Sequence, residues 1–204
     1  MRDPFLKVKY DKLVFELKFL EADLSYHDKI LSKSGPEFEA KCHEMIKERG
    51  FEDIFYGENS AAEKSAKKES EKNQQESREK PSKSVEALYR QIAAKTHPDK
   101  LLNVDDDIKL EREELFLSAT EAKEENNLLK LHLIAADLKI EISDISPEEL
   151  GMFESTIVEK RNQIDSKKAT WMWNWVTSPS DRRDDIISRY VDFMIQSITK
   201  TETE

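Results

Sequence analysis

The chain has 204 residues, with 33 Lys+Arg against 43 Asp+Glu and a formal charge of -10. Charged residues and the AVILMFWYC set each make up 37%, below the roughly 45–50% apolar share of ordinary globular chains, so part of the chain is expected to stay outside a packed core. Four Gly and six Pro leave few turn formers for a β-sandwich or barrel, and the Glu, Lys, Leu and Ala content favours an all-α protein of one or two domains. The acidic balance argues against broad nucleic-acid binding, which needs clustered Lys and Arg to displace counterions from phosphates.

A single cysteine, Cys42, leaves no intramolecular disulfide framework and no multi-cysteine zinc site; it fits a reducing compartment, and the cytoplasm is the expected location. No run approaches about 18 apolar residues, and Lys and Asp interrupt the N-terminal stretch, so neither a membrane span nor an export signal is expected.

From Lys9 to about Ser32, Leu13, Leu17, Leu20, Leu24 and Leu31 recur at the a/d spacing of a helix with one buried seam. Gly35-Pro36 is expected to break it. Phe38, Cys42 and Met45 then share one face of a second helix that Gly50 stops, which reads as a helical hairpin. Cys42 and His43 are adjacent and diverge by about 100° on a helix, so Cys42 reads as a core thiol and not as a nucleophile or ligand. Between Gly57 and Lys83 no Val, Ile, Leu, Met, Phe, Trp or Tyr occurs. That mixed-charge segment cannot offset its ordering entropy and reads as a flexible linker.

Val85, Leu88, Tyr89 and Ile92 restore a helical face that runs to Thr96, where His97-Pro98 ends it. After a polar loop from Asn103 to Asp107, Leu110, Leu115, Phe116, Ala119 and Ala122 mark a second helix. Asn126-Asn127 interrupts, and Leu128, Leu131, Ile134, Ala135 and Leu138 form a short third helix. Ser146-Pro147-Glu148-Glu149 is a start signal with a capping box. The helix it opens carries Leu150, Phe153, Ile157, Ile164 and Trp171, and is expected to pack antiparallel on the first helix as a stem. A last helix from about Ser180 uses Ile187, Tyr190, Val191 and Met194, with a frayed tail from Thr199.

Pro98 fixes the local backbone, so His97 and Asp99 are expected to project from a rigid exposed turn, Asp99 offering a carboxylate that an arginine can grip through paired hydrogen bonds. Arg90, Lys95 and Lys100 lie off the Val85/Leu88/Ile92 face and form a small basic surface. Local contrast of that kind steers an acidic partner despite the net charge. The alternative is a plain helix stop with an Asx-type turn.

The run Leu88-Tyr89-Arg90-Gln91-Ile92-Ala93-Ala94-Lys95-Thr96-His97-Pro98-Asp99-Lys100 resembles the second helix and His-Pro-Asp loop of DnaJ-type J domains. The resemblance implies a co-chaperone that docks on a DnaK-type heat-shock chaperone, speeds its ATP hydrolysis and delivers a client. It places the docking roles on His97, Pro98 and Asp99, with Arg90, Lys95 and Lys100 as electrostatic contacts. Tyr89 and Ile92 are then structural, and Phe116, Ala119 and Ala122 form the opposing side of a two-helix core.

The resemblance spans Ser84 to Leu138 and departs from the family pattern at several points. No Tyr-x-x-Leu-Gly-like first helix precedes Ser84. Glu86, Ala87 and Gln91 stand where basic residues are common, Lys123 stands in place of an aromatic, and the Gln-Lys-Arg-Ala-like fourth helix is missing. The Glu-Glu-Asn-Asn-Leu-Leu-Lys-Leu run, 124–131, looks like that of J-like proteins of bacteria and large phages. The expected organisation is an N-terminal helical hairpin (1–56), a linker (57–83), the J-like module (84–140) and a C-terminal hairpin (141–204) packing on the N-terminal helices.

Trp171, Trp173 and Trp175 form an aromatic cluster in which Trp171 and Trp175 share a helix face and Trp173 does not. It reads as core packing with one ring exposed, or as a client or partner patch. His27 and His132 read as core-rim or surface residues. With no glycine-rich phosphate loop, nucleophile elbow or paired metal-ligand helix, neither an enzyme, a cofactor nor a metal is expected. A second functional reading is a helical structural or adaptor protein, such as a homo-oligomer or viral accessory factor, that keeps a J-like fold for assembly.

Overall fold

The computed structural model describes residues 4–56, 81–101, 105–142 and 145–201. The expected linker at 57–83 lies, up to residue 80, outside the described residues, as do residues 103 and 104 of the expected 103–107 loop. The fold is all-α, and no strand occurs among the described residues. The helices are α1 (Pro4–Glu48), α2 (Glu52–Tyr56), α3 (Lys83–Thr96), α4 (Asp106–Glu124), α5 (Leu128–Asp137), α6 (Pro147–Lys168), α7 (Trp171–Thr177) and α8 (Ser180–Thr201), with a 3-10 turn at Pro98–Lys100. No helix among the described residues is long and apolar enough to cross a membrane.

The expected break at Gly35-Pro36 does not occur: α1 is one helix of 45 residues with Pro36 inside it. An interior proline costs about 3 kcal/mol. Two features offset it. Gly35 has no Cβ to clash with the proline ring that follows, and continuing the helix buries Phe38, Cys42 and Ile46, side chains worth roughly 1.5–3 kcal/mol apiece when large and apolar. The stop does come at Gly50, in the left-handed region at φ 75°. There Gly50 N–H donates to Lys47 O and Phe51 N–H to Ile46 O, a Schellman pattern.

The chain divides into two compact units, one of Met1–Glu21 and Glu76–Lys160, the other of Ala22–Gln75 and Arg161–Glu204. The cuts at 21/22 and 160/161 fall inside helices, so the first turns of α1 and most of α6 belong with the 84–140 module and not with separate terminal hairpins. In the first unit Val85, Leu88 and Ile92 of α3 pack against Ala119 and Ala122 of α4 and Leu131, Ile134 and Ala135 of α5. Ser82 caps α3 by accepting from Val85 N–H. Asn126, at φ 53°, turns the chain between α4 and α5, and Asn127 caps α5. The loop expected to extend to Asp107 is shorter, because α4 starts at Asp106 and places two carboxylates on its positive end.

The capping box forms as spaced: Glu149 N–H donates to Ser146 Oγ at 3.1 Å and Ser146 N–H to Glu149 Oε2 at 2.9 Å. The stem direction is a correction. In the first unit Lys9 pairs with Glu154, the Tyr10 ring meets Phe153, and Glu21 meets Lys160, so α1 and α6 run parallel. Periodicity identifies a buried stripe but carries no direction, and the antiparallel expectation had no other support.

In the second unit Phe38, Cys42 and Ile46 pack with Trp175, Ile187 and Val191. The helix expected to run through Trp171 ends at Lys168, because Thr170 caps a new helix by accepting from Trp173 N–H. Arg183 then closes α7, donating to Val176 O and Ser178 O while its guanidinium lies 5.1 Å from the Trp175 ring centroid. α8 continues helical to Thr201, past the expected fraying point.

Candidate functional site

α3 ends because Pro98 forces His97 out of the helical region, to φ -60° and ψ 133°. Its last residue, Thr96, is buried and returns its hydroxyl to Ile92 O. The chain then makes one tight 3-10 turn, with Lys100 N–H donating to His97 O and Leu101 N–H to Pro98 O. Leu101 is buried and fastens the far side. His97 Nδ1 accepts from Asp99 N–H at 3.3 Å, which puts the proton of the neutral ring on Nε2. The ring rests edge-on against Phe116 at 5.3 Å.

The Asp99 side chain is 87% exposed, and among the described residues its carboxylate meets only the His97 ring, at 3.6 Å. A free carboxylate on a fixed turn can accept two parallel bonds from a guanidinium. The three cations expected beside it differ. Lys100 is exposed. Arg90 is exposed and pairs with Glu86 one turn back, at 3.3 Å. Lys95 donates to Leu138 O at 3.0 Å, closing the C-terminal end of α5. Arg112 of α4 donates to Lys95 O, one of the last carbonyls of α3. The sequence reading does not reach Arg112 or Leu101; the apolar Leu101-Leu102 pair directly after a polar turn is the signal for the second.

Below the turn, Tyr89 donates to Thr120, whose hydroxyl is committed to Phe116 O. Lys123, in place of an aromatic, sits 4.7 Å above the Tyr89 ring and covers it by a cation–π contact. Phe116 is half-buried between Tyr89 and His97, so it supports the turn more than it fills the core.

The tryptophans do not leave a ring exposed. Trp175 is buried against Phe38, Trp171 is half-buried on Tyr190 and Phe193, and Trp173 stacks on His27 at 4.3 Å. The cluster is turned into the second unit, which corrects the exposed-ring expectation. His27 and His132 are both fully buried, deeper than the core rim. Among the described residues neither Nε2 has a hydrogen-bond partner. His132 lies between Tyr10 and Phe153, with its Nδ1 and the Tyr10 hydroxyl hydrogen-bonded at 3.0 Å. Burial lowers its pKa to about 4 and pushes the Tyr10 hydroxyl well up. The Cys42 thiol is buried and raised to about 11, by desolvation first and Glu39 second, so it is inert at neutral pH.

No family model matches the chain, and no curated protein or solved structure matches it.

Proposed function

We propose that the chain is a J-domain-type co-chaperone that acts in a reducing cytoplasm, docks on a DnaK-type chaperone through His97, Pro98 and Asp99, and stimulates its ATPase while delivering a client. The observation that carries the reading is the turn itself: a rigid, outward corner whose carboxylate is unspent by its own chain. Lys100 and Arg90 supply positive potential beside it, and Lys95 acts as a positioning residue through Leu138 O.

Single-turnover ATPase assays with a DnaK-type chaperone test the reading. Asp99→Asn keeps the shape and removes the charge. A charge-assisted contact is worth roughly 1.5–3 kcal/mol, or about 10- to 150-fold in affinity, so stimulation at limiting protein should fall by that range while the circular dichroism spectrum stays fixed. Equal rates for the two proteins would refute the assignment.

A second reading, a helical adaptor that keeps a J-like module for assembly, draws on the engagement of Arg90 by Glu86 and of Lys95 by Leu138 O, which leaves the basic face thin. It requires wild-type protein to leave the chaperone's ATPase rate unchanged.

A further inference from the structure

In the first unit α1 buries Tyr10, Leu13, Val14, Leu17 and Leu20 along one side. At about 100° per residue, Val8, Phe15 and Phe19 gather on the opposite side within roughly 40° of one another. They are 67%, 73% and 66% exposed, and Phe5, one turn before Val8, is 80% exposed. Written as heptads, Phe5, Lys12 and Phe19 take position a, and Val8 and Phe15 take position d. The helix therefore carries two apolar seams back to back, and among the described residues one is buried and the other is largely exposed.

We propose that the second seam is the interface of an antiparallel homodimer, α1 against α1 of a second copy. The order of charges selects both the partner and the direction. With Phe19 against the partner's Val8 and Lys12 over the ring of the partner's Phe15, the flanking positions set Lys9 against the partner's Glu16 and Asp11 against the partner's Lys18. Two-fold symmetry repeats each pair. A parallel pair would instead put Lys12 on Lys12 in the core and bring Asp11 beside Glu16, all like charges. Lys9 already meets Glu154 and Lys18 already meets Asp137 in their own chain, so the interchain pairs set register more than they add affinity. The area is adequate: three phenylalanines of roughly 200 Å² each, mostly exposed, with Val8, leave on the order of 500 Å² per copy. A symmetric pair then buries about 1,000 Å², the lower bound for a specific interface.

Sedimentation equilibrium of the full chain tests the proposal. The wild type should run at twice the 23.8 kDa of one chain. Phe15→Glu with Phe19→Glu, both at exposed positions, should weaken association at least about tenfold, as loss of central aromatic anchors does, with an unchanged circular dichroism spectrum. A second measurement needs no charged variant. Val8→Cys protein mixed with Phe19→Cys protein should oxidise to the mixed disulfide in preference to either self-disulfide. A wild type that stays at one chain's mass at every concentration measured would overturn the proposal. So would a dimer indifferent to both glutamates, or disulfides between two Val8→Cys chains in preference to mixed ones. None of these readouts depends on the chaperone.

Discussion

Acid should loosen the first unit through His132, and the size of the effect follows from where the ring sits. Neutral His132 packs edge-on to Tyr10 and Phe153, shares one hydrogen bond with the Tyr10 hydroxyl through Nδ1, and has no partner for Nε2 among the described residues. Desolvation lowers its pKa from 6.5 to about 4. A depressed histidine pKa means that the unfolded chain takes the proton first. The contribution of the neutral ring is therefore whole above 6.5 and is lost as pH falls from 6.5 to about 4. A shift of that size corresponds to about 3 kcal/mol, most of it gone by about pH 4.5. Urea denaturation at pH 7 and at about pH 4.5 should show the wild type losing about 2–3 kcal/mol more than a Tyr10→Phe/His132→Leu variant, which replaces the bonded pair by apolar groups. An NMR titration of the His132 ring gives the local value. A ring that titrates near 6.5, or equal acid sensitivity in the two proteins, would refute the reasoning.

Two further outcomes concern the second unit. Pro36→Ala should stabilise the protein by about 1–3 kcal/mol in thermal or chemical denaturation, because α1 passes through that position as unbroken helix and alanine restores a main-chain donor. Cys42 should react with a thiol reagent only on denaturation, since its thiol is buried and held near 11; stoichiometric labelling of the native protein within minutes would contradict that placement.

Much of the fold is legible in the residues because local signals and burial agree. Ser146 and Glu149 cap α6 as spaced, Gly50 stops α1, and Asn126-Asn127 turns the chain between α4 and α5. The seam of Leu13, Leu17, Leu20 and Leu24 is buried. What failed was local grammar meeting tertiary demand. Gly35-Pro36 reads as a stop, yet burial of Phe38, Cys42 and Ile46 keeps the helix going. Thr170 caps α7 although the tryptophans after it continue the heptad spacing, which hides the break. Helix direction was invisible, since a stripe looks the same read either way. At the proposed docking turn, the exposure of Asp99 followed from Pro98 alone, whereas the engagement of Lys95 depends on a carbonyl 43 residues further along the chain, which no spacing rule reveals.

Lys95 and Arg112 act on the turn from either flank, one anchoring α3 to the end of α5 and the other gripping the main chain of α3 from α4. A guest arriving at the turn finds a preset template and has little ordering left to impose. Lys95 keeps its positive charge in bracing α3, because the main-chain carbonyl it meets is neutral. Under the proposed docking, that preset fit is combined with an exposed charge on Asp99, so binding at this corner should weaken as salt is added.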